Sequence, residues 1–91
     1  MEIIIYKEDA TLDAKEILPP LSLLRIKNNI DSLNAGDVIK VLLSIVNYPE
    51  AESDIAAWSK ALGHKILEIE KMEDKIIFFI QKCPSRRDLK D

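Results

Sequence analysis

Between Leu33 and Asp37 the spacing of apolar side chains changes period, and no other feature of the chain constrains its fold as much. On one side Leu23, Ile26, Ile30 and Leu33 recur at helical spacing, which predicts a helix from Pro20 to Leu33 with one apolar face. On the other, Ile39, Val41, Leu43 and Ile45 alternate through DVIKVLLSIV, residues 37–46, which predicts a strand with one buried face. Its even positions mix Lys40 and Ser44 with Leu42, so the second face is only half-covered. Asn34, Ala35 and Gly36 separate the two periods, with Gly36 expected to supply the left-handed residue that ends the helix.

The same alternation returns downstream. NYPEAES opens a second helix, with Glu50, Glu52 and Asp54 crowded where the macrodipole favours negative charge. Ala51, Ile55, Trp58 and Leu62 form its apolar stripe, and Gly63 stops it. KILEIEKM and KIIFFIQK read as two strands joined by a tight acidic turn, a hairpin. Upstream, EIIIY (2–6) is a short β-rich run, and ATLDA (10–14) is a second extended piece or the continuation of the first past a kink.

The order is therefore β-α-β-α-β-β. Two crossovers of helical length imply parallel strand pairs, followed by one antiparallel partner. Two helices on a mixed sheet of four or five strands make a two-layer α/β sandwich with both helices on one face. The other face must carry Lys40, Ser44, Glu68, Glu70 and Gln81, but also Leu42, Ile77 and Phe79. Those last three are the candidate interaction surface, through which a protein partner or a second copy of the chain would be met.

Ninety-one residues, 47% apolar and with only two glycines, suit one packed domain over residues 1–82, leaving CPSRRDLKD (83–91) as a polar, frayed tail. A net charge of −3 gives no general attraction to nucleic acid or anionic membrane. One cysteine, Cys83, excludes an internal disulfide and fits a reducing compartment. The opening MEIIIYKED has an acid at position 2 and too short an apolar run for a signal peptide, and no later run approaches a membrane span. A cytoplasmic protein without metal or cofactor is the expectation.

Chemistry-bearing residues are few. The stretch LDAKEILPPLSLL (12–24) turns from strand to helix through two prolines, with Pro20 suited to the first helical position. Helix starts attract anions and low-pKa thiols, so this corner is the first place to look for a reactive group. His64 follows Gly63 at a helix end, where an imidazolium would complement the C-terminal dipole; this is preferred over pairing with Cys83 as a nucleophile. No cluster has metal-ligand spacing, and two isolated glycines cannot build a phosphate loop. Glu50, Glu52 and Asp54 are read as dipole partners, Trp58 as core, and Lys82, Arg86, Arg87 and Lys90 as a solvated basic patch balanced by nearby acids.

Over roughly residues 11–82 the chain resembles the TusA/SirA sulfur carriers of bacteria and archaea. TLDAKEI resembles the family's Leu-Asp-Ala-x-Gly strand end, and the interval from Leu12 to Gly36 fits without a gap. YPEAESDIAAWSKALGHKILEIE resembles the second helix and its exit, including Asp54-Ile55, Trp58 and Gly63-His64. Family members carry Cys-Pro-x-Pro at the start of the first helix, and that cysteine holds a persulfide sulfur which a relay passes on. Laid on this chain, the family cysteine falls at Pro19 and its proline at Pro20. The second motif proline falls at Ser22 and the preceding glycine at Glu16. Proline offers no nucleophile and no titratable group, and a carboxylate at Glu16 near that helix start would disfavour a thiolate.

The resemblance thus implies the scaffold of a sulfur carrier without its sulfur at the usual position. Two functions from different classes follow. One is a non-catalytic binding module that docks on protein partners, sulfur-relay proteins among them. The other is a carrier acting through Cys83, where Cys-Pro recurs beside Arg86 and Arg87. An RNA-associated accessory role is a third reading, opposed by the acidic balance.

Overall fold

The computed structural model describes residues 7–83, so EIIIY (2–6) and the tail residues 84–91, with Arg86, Arg87 and Lys90, lie outside the described residues. Six elements follow one another among those described: β1 (Ala10–Asp13), α1 (Leu21–Asp31), β2 (Val38–Ser44), α2 (Ala51–Leu62), β3 (Lys65–Lys71) and β4 (Lys75–Gln81). This is the expected β-α-β-α-β-β order of an α/β two-layer sandwich, counted from β1.

Sheet order is β1-β2-β4-β3. β1 runs parallel to β2, from Ala10 opposite Ile39 to Asp13 opposite Leu42. β4 is antiparallel to both β2 and β3 and lies between them. The expectation of a second hydrogen-bonded parallel pair is therefore corrected: β2 and β3 run the same way but are separated by the returning hairpin strand. Side-chain chemistry explains the insertion. Ile76, Ile77, Phe78, Phe79 and Ile80 are all buried, which suits a central strand covered by neighbours on both edges. β3, with Lys65, Glu68, Glu70 and Lys71, takes the edge, where charge discourages pairing with other chains.

The core lies between the helices and one sheet face. Ile39, Val41 and Leu43 from β2 and Ile76, Phe78 and Ile80 from β4 pack with Ile26, Ile30, Ala51 and Ile55 from the helices. The opposite face gathers Val38, Ile77 and Phe79, with Leu42 and Leu67 packed against them. A bulge between Ile66 and Glu68 sets Glu68 opposite Phe79 and Glu70 opposite Ile77. Leu42, Ile77 and Phe79 do share this face. Ile77 and Phe79 are nevertheless only 5% and 8% exposed, and the Lys40 ammonium lies 5.8 Å from the Phe79 ring centroid.

Element ends differ from the sequence reading in instructive ways. α1 starts one residue after Pro20, which is the N-cap, and ends at Asp31 instead of Leu33. Ser32 closes it, with the Ser32 and Leu33 N–H groups donating to the carbonyls of Asn29 and Ile30. Gly36 is left-handed (φ 92°) as expected, but it forms the turn into β2 instead of the helix end, and its N–H donates to the Lys82 carbonyl at 2.6 Å. Gly63 (φ 84°) does stop α2: its N–H donates to Lys60 and that of His64 to Ser59. The α2 stripe is Ala51, Ile55 and Ser59, with Trp58 half-buried beside it and Leu62 exposed at the last helical position.

Candidate functional site

The corner between β1 and α1 is built by backbone hydrogen bonds. Ala14 continues the β1–β2 pairing by donating to the Leu42 carbonyl at 2.9 Å, and its side chain is fully buried. Ile17 N–H donates back to Ala14, which turns the chain toward the prolines. The Pro19–Pro20 peptide is cis. Ser22 and Leu24 donate their N–H groups to the carbonyls of Leu18 and Pro20, starting the helix. No side chain caps this start, and no acid occupies its first turn.

What surrounds the corner is apolar. Leu18, Leu21 and Leu24 are 60%, 48% and 50% exposed, and Pro20 is exposed as well. Ser22 points inward, fully buried, and its hydroxyl has no hydrogen-bond partner among the described residues. The prolines and leucines here carry no titratable or nucleophilic group. Glu16 belongs to an adjoining open cleft of about 490 Å³, lined also by Lys15, Ser44, Asn47, Asp74 and Lys75. There Asp13 accepts from the Lys15 backbone N–H, which does most to hold its carboxyl below the usual carboxylate range, with the Lys15 ammonium adding to it.

The other sequence candidates gather at the far end of α1, a helix length of roughly 15 Å away. Lys82 donates from its ammonium to the carbonyls of Leu33 (2.6 Å) and Asp31 (3.2 Å), and its N–H donates to Asp37. Cys83 follows directly and donates its N–H to His64 Nδ1 at 3.3 Å. Cys83 is half-buried and held through its own N–H and that of Lys82, while the rest of the expected tail lies outside the described residues. One expectation is corrected by this arrangement. His64 does not act as an imidazolium on the α2 dipole. Burial, then the nearby Lys82 charge, lower its pKa from the ordinary 6.5, against a smaller opposing pull from Asp31. The neutral ring accepts from Cys83 and lies 5.5 Å from Trp58, centroid to centroid. Cys83 and His64 are thus brought together, but neither reaches the proline corner.

Two surface features escaped the sequence reading. Exposed leucines clustered at a helix start leave no periodic signature, because a stripe pattern reports the buried face only. Pro20 and, from α1, Leu23, Leu24 and Lys27 also form, with Trp58 of α2, a groove of about 230 Å³ that depends on how the helices sit side by side. Among the described residues no helix is long and apolar enough to cross a membrane, and no group of three or more His, Cys, Asp or Glu side chains could hold a metal.

Fold and corner together define a small two-layer α/β domain that presents the start of its first helix to solvent. Residues 10–82 match the family described as Sulfurtransferase TusA, and the chain belongs to that family. It is 36% identical over 76 residues to a putative sulfur carrier protein, YrkI, of Bacillus subtilis, covering 84% of this chain and 97% of that one. A putative sulfur carrier protein of Aquifex aeolicus is 36% identical over 77 residues, which are 85% of this chain but 38% of that longer protein. Sulfur carrier protein TusA of Allochromatium vinosum is 31% identical over 74 residues, 81% of this chain and 93% of that one. Membership ties the chain to sulfur transfer and to work with protein partners.

Proposed function

We propose that the chain is a non-catalytic protein-binding module of sulfur-transfer pathways, docking through the β1–α1 corner. One observation supports this above others. At the helix start, where the family resemblance puts the sulfur-carrying cysteine, the chain has Pro19 and Pro20 surrounded by exposed Leu18, Leu21 and Leu24. A surface that keeps large apolar side chains in water while lacking any reactive atom is suited to contact, not chemistry. The test is to incubate the protein with a cysteine desulfurase and cysteine and record its intact mass. No gain of a sulfur atom is expected, while a one-sulfur adduct, for which Cys83 is the chain's one thiol acceptor, overturns the reading.

A carrier acting through Cys83 is the second reading, favoured by the hydrogen bonds that fix Cys83 and Lys82 in place. It requires the same incubation to add one sulfur, and that gain to vanish in Cys83→Ser. Self-association through the sheet face bearing Leu42, Ile77 and Phe79 is a separate proposal, and a monomer at every concentration in size exclusion removes it. An RNA-associated role requires salt-dependent retention of tRNA, and its absence ends that reading.

A further inference from the structure

Beyond β4 two successive residues are held in different ways. Lys82 donates its N–H to the Asp37 carbonyl, accepts from Gly36 N–H, and spans the carbonyls of Asp31 and Leu33 with its ammonium. None of these groups changes charge near neutral pH. Cys83, half-buried, instead donates its N–H to Nδ1 of His64 at 3.3 Å. A ring nitrogen accepts only while it is unprotonated, so this bond requires the neutral tautomer with its proton on Nε2. A proton on Nδ1 turns the acceptor into a donor that faces another donor. The imidazolium would also stand near the Lys82 charge, which the two carbonyls pin in place. Asp31, at the end of α1, opposes that charge with a smaller pull. From α2 the ring meets the uncharged Trp58 at 5.5 Å, and β3 begins beside it with exposed Lys65. Protonation therefore removes a bond and adds a repulsion at the same place.

We propose that His64 is a proton-operated latch on Cys83: the neutral imidazole holds this residue against the domain, and the imidazolium releases it and opens its thiol to reagents in solution. Lys82 stays in place during release, because its own contacts do not titrate in the same range. The folded ring takes up its proton below the ordinary 6.5, so the latch is closed above about pH 6.5 and opens as pH falls through the lowered value. The latch goes beyond both functional readings. It does not depend on whether the thiol carries sulfur, and a failure to load sulfur leaves it standing.

The probe is 4,4′-dithiodipyridine, which reacts with thiols in acid as well as in neutral solution. Its rate at Cys83, the chain's one thiol, is divided by its rate with glutathione at the same pH, which removes the general fall in thiolate as pH drops. Trp58 is the only tryptophan and lies against the imidazole, so its fluorescence follows the ring's charge in the same samples. Between about pH 8 and about pH 5 the rate ratio is expected to rise roughly fivefold, with the midpoint of the Trp58 change. His64→Asn keeps an acceptor oxygen near the Nδ1 position but cannot take up the proton, so its ratio should stay at the closed value throughout. His64→Phe has no acceptor, and its ratio should stand at the open value even at about pH 8. A ratio that stays level through the imidazole's titration, a rise that persists in His64→Asn, or a closed value in His64→Phe would each overturn the latch.

Discussion

The two ends of α1 are finished in opposite ways. Its C-terminal end is tied down: Ser32 Oγ donates to the Asn29 carbonyl, and the Lys82 ammonium spans the carbonyls of Asp31 and Leu33. Its N-terminal end has no side-chain cap, a proline at the N-cap, and three exposed leucines around it. A helix end without a side-chain cap and with exposed apolar side chains around it gains little for the isolated fold. The contrast separates an end that is tied into the fold from an end to which the proposed function assigns contact with a partner.

Substitutions can break this comparison. The largest effect is expected from Ile30→Ala, because Ile30 is fully buried where α1 meets the sheet: about 3 kcal/mol of stability lost in urea unfolding. Next, Lys82→Met removes both carbonyl contacts at the anchored end and is expected to cost about 1–2 kcal/mol in the same measurement. Opposite in sign, Ser22→Ala near the open end removes a buried hydroxyl without a partner, and should stabilise by up to about 1 kcal/mol.

His64 sharpens the contrast through pH. Its folded pKa lies below the ordinary 6.5, so the unfolded chain binds its proton more readily than the folded one does. Its contribution to stability is fully present above about pH 6.5 and declines as pH falls through the lowered folded value. Thermal melts from pH 8 to pH 5 should show a drop that His64→Asn reduces, since the imidazole is then absent. Smallest of all, Leu21→Ser at the open end should change stability by less than about 0.5 kcal/mol in urea, with any loss confined to partner binding. A destabilisation as large as that of Lys82→Met would mean that the open end is structural after all.

Much of this was legible in the chain, and the limits have physical causes. The helical spacing of Ile26 and Ile30 and the alternation of Ile39, Val41 and Leu43 report burial against a single layer, so they located α1, β2 and the core face. Strand order was not legible, because β4 could sit beside β2 or outside β3 without changing any local period; the unbroken IIFFI run was the available hint of a central strand. Gly36 was rightly assigned a left-handed conformation and wrongly assigned to the helix end, since the preference belongs to the residue and the location to its hydrogen-bond partner, Lys82. The reversal at His64 came from burial and from the charge of Lys82, eighteen positions away, which no local pattern encodes. At the candidate site the two prolines were visible from the start, whereas the groove beneath Trp58 exists only once two helices lie together.

The placement of β4 has a consequence for how the molecule is made. The strand latest in chain order among those described fills the middle of the sheet, with β2 on one side and β3 on the other. Until residues 75–81 have been synthesised and inserted, the earlier strands present raw hydrogen-bonding edges to whatever is nearby. A nascent chain stopped short of Lys75 would be two adhesive fragments, and the interval before that last insertion is when a chaperone would matter most.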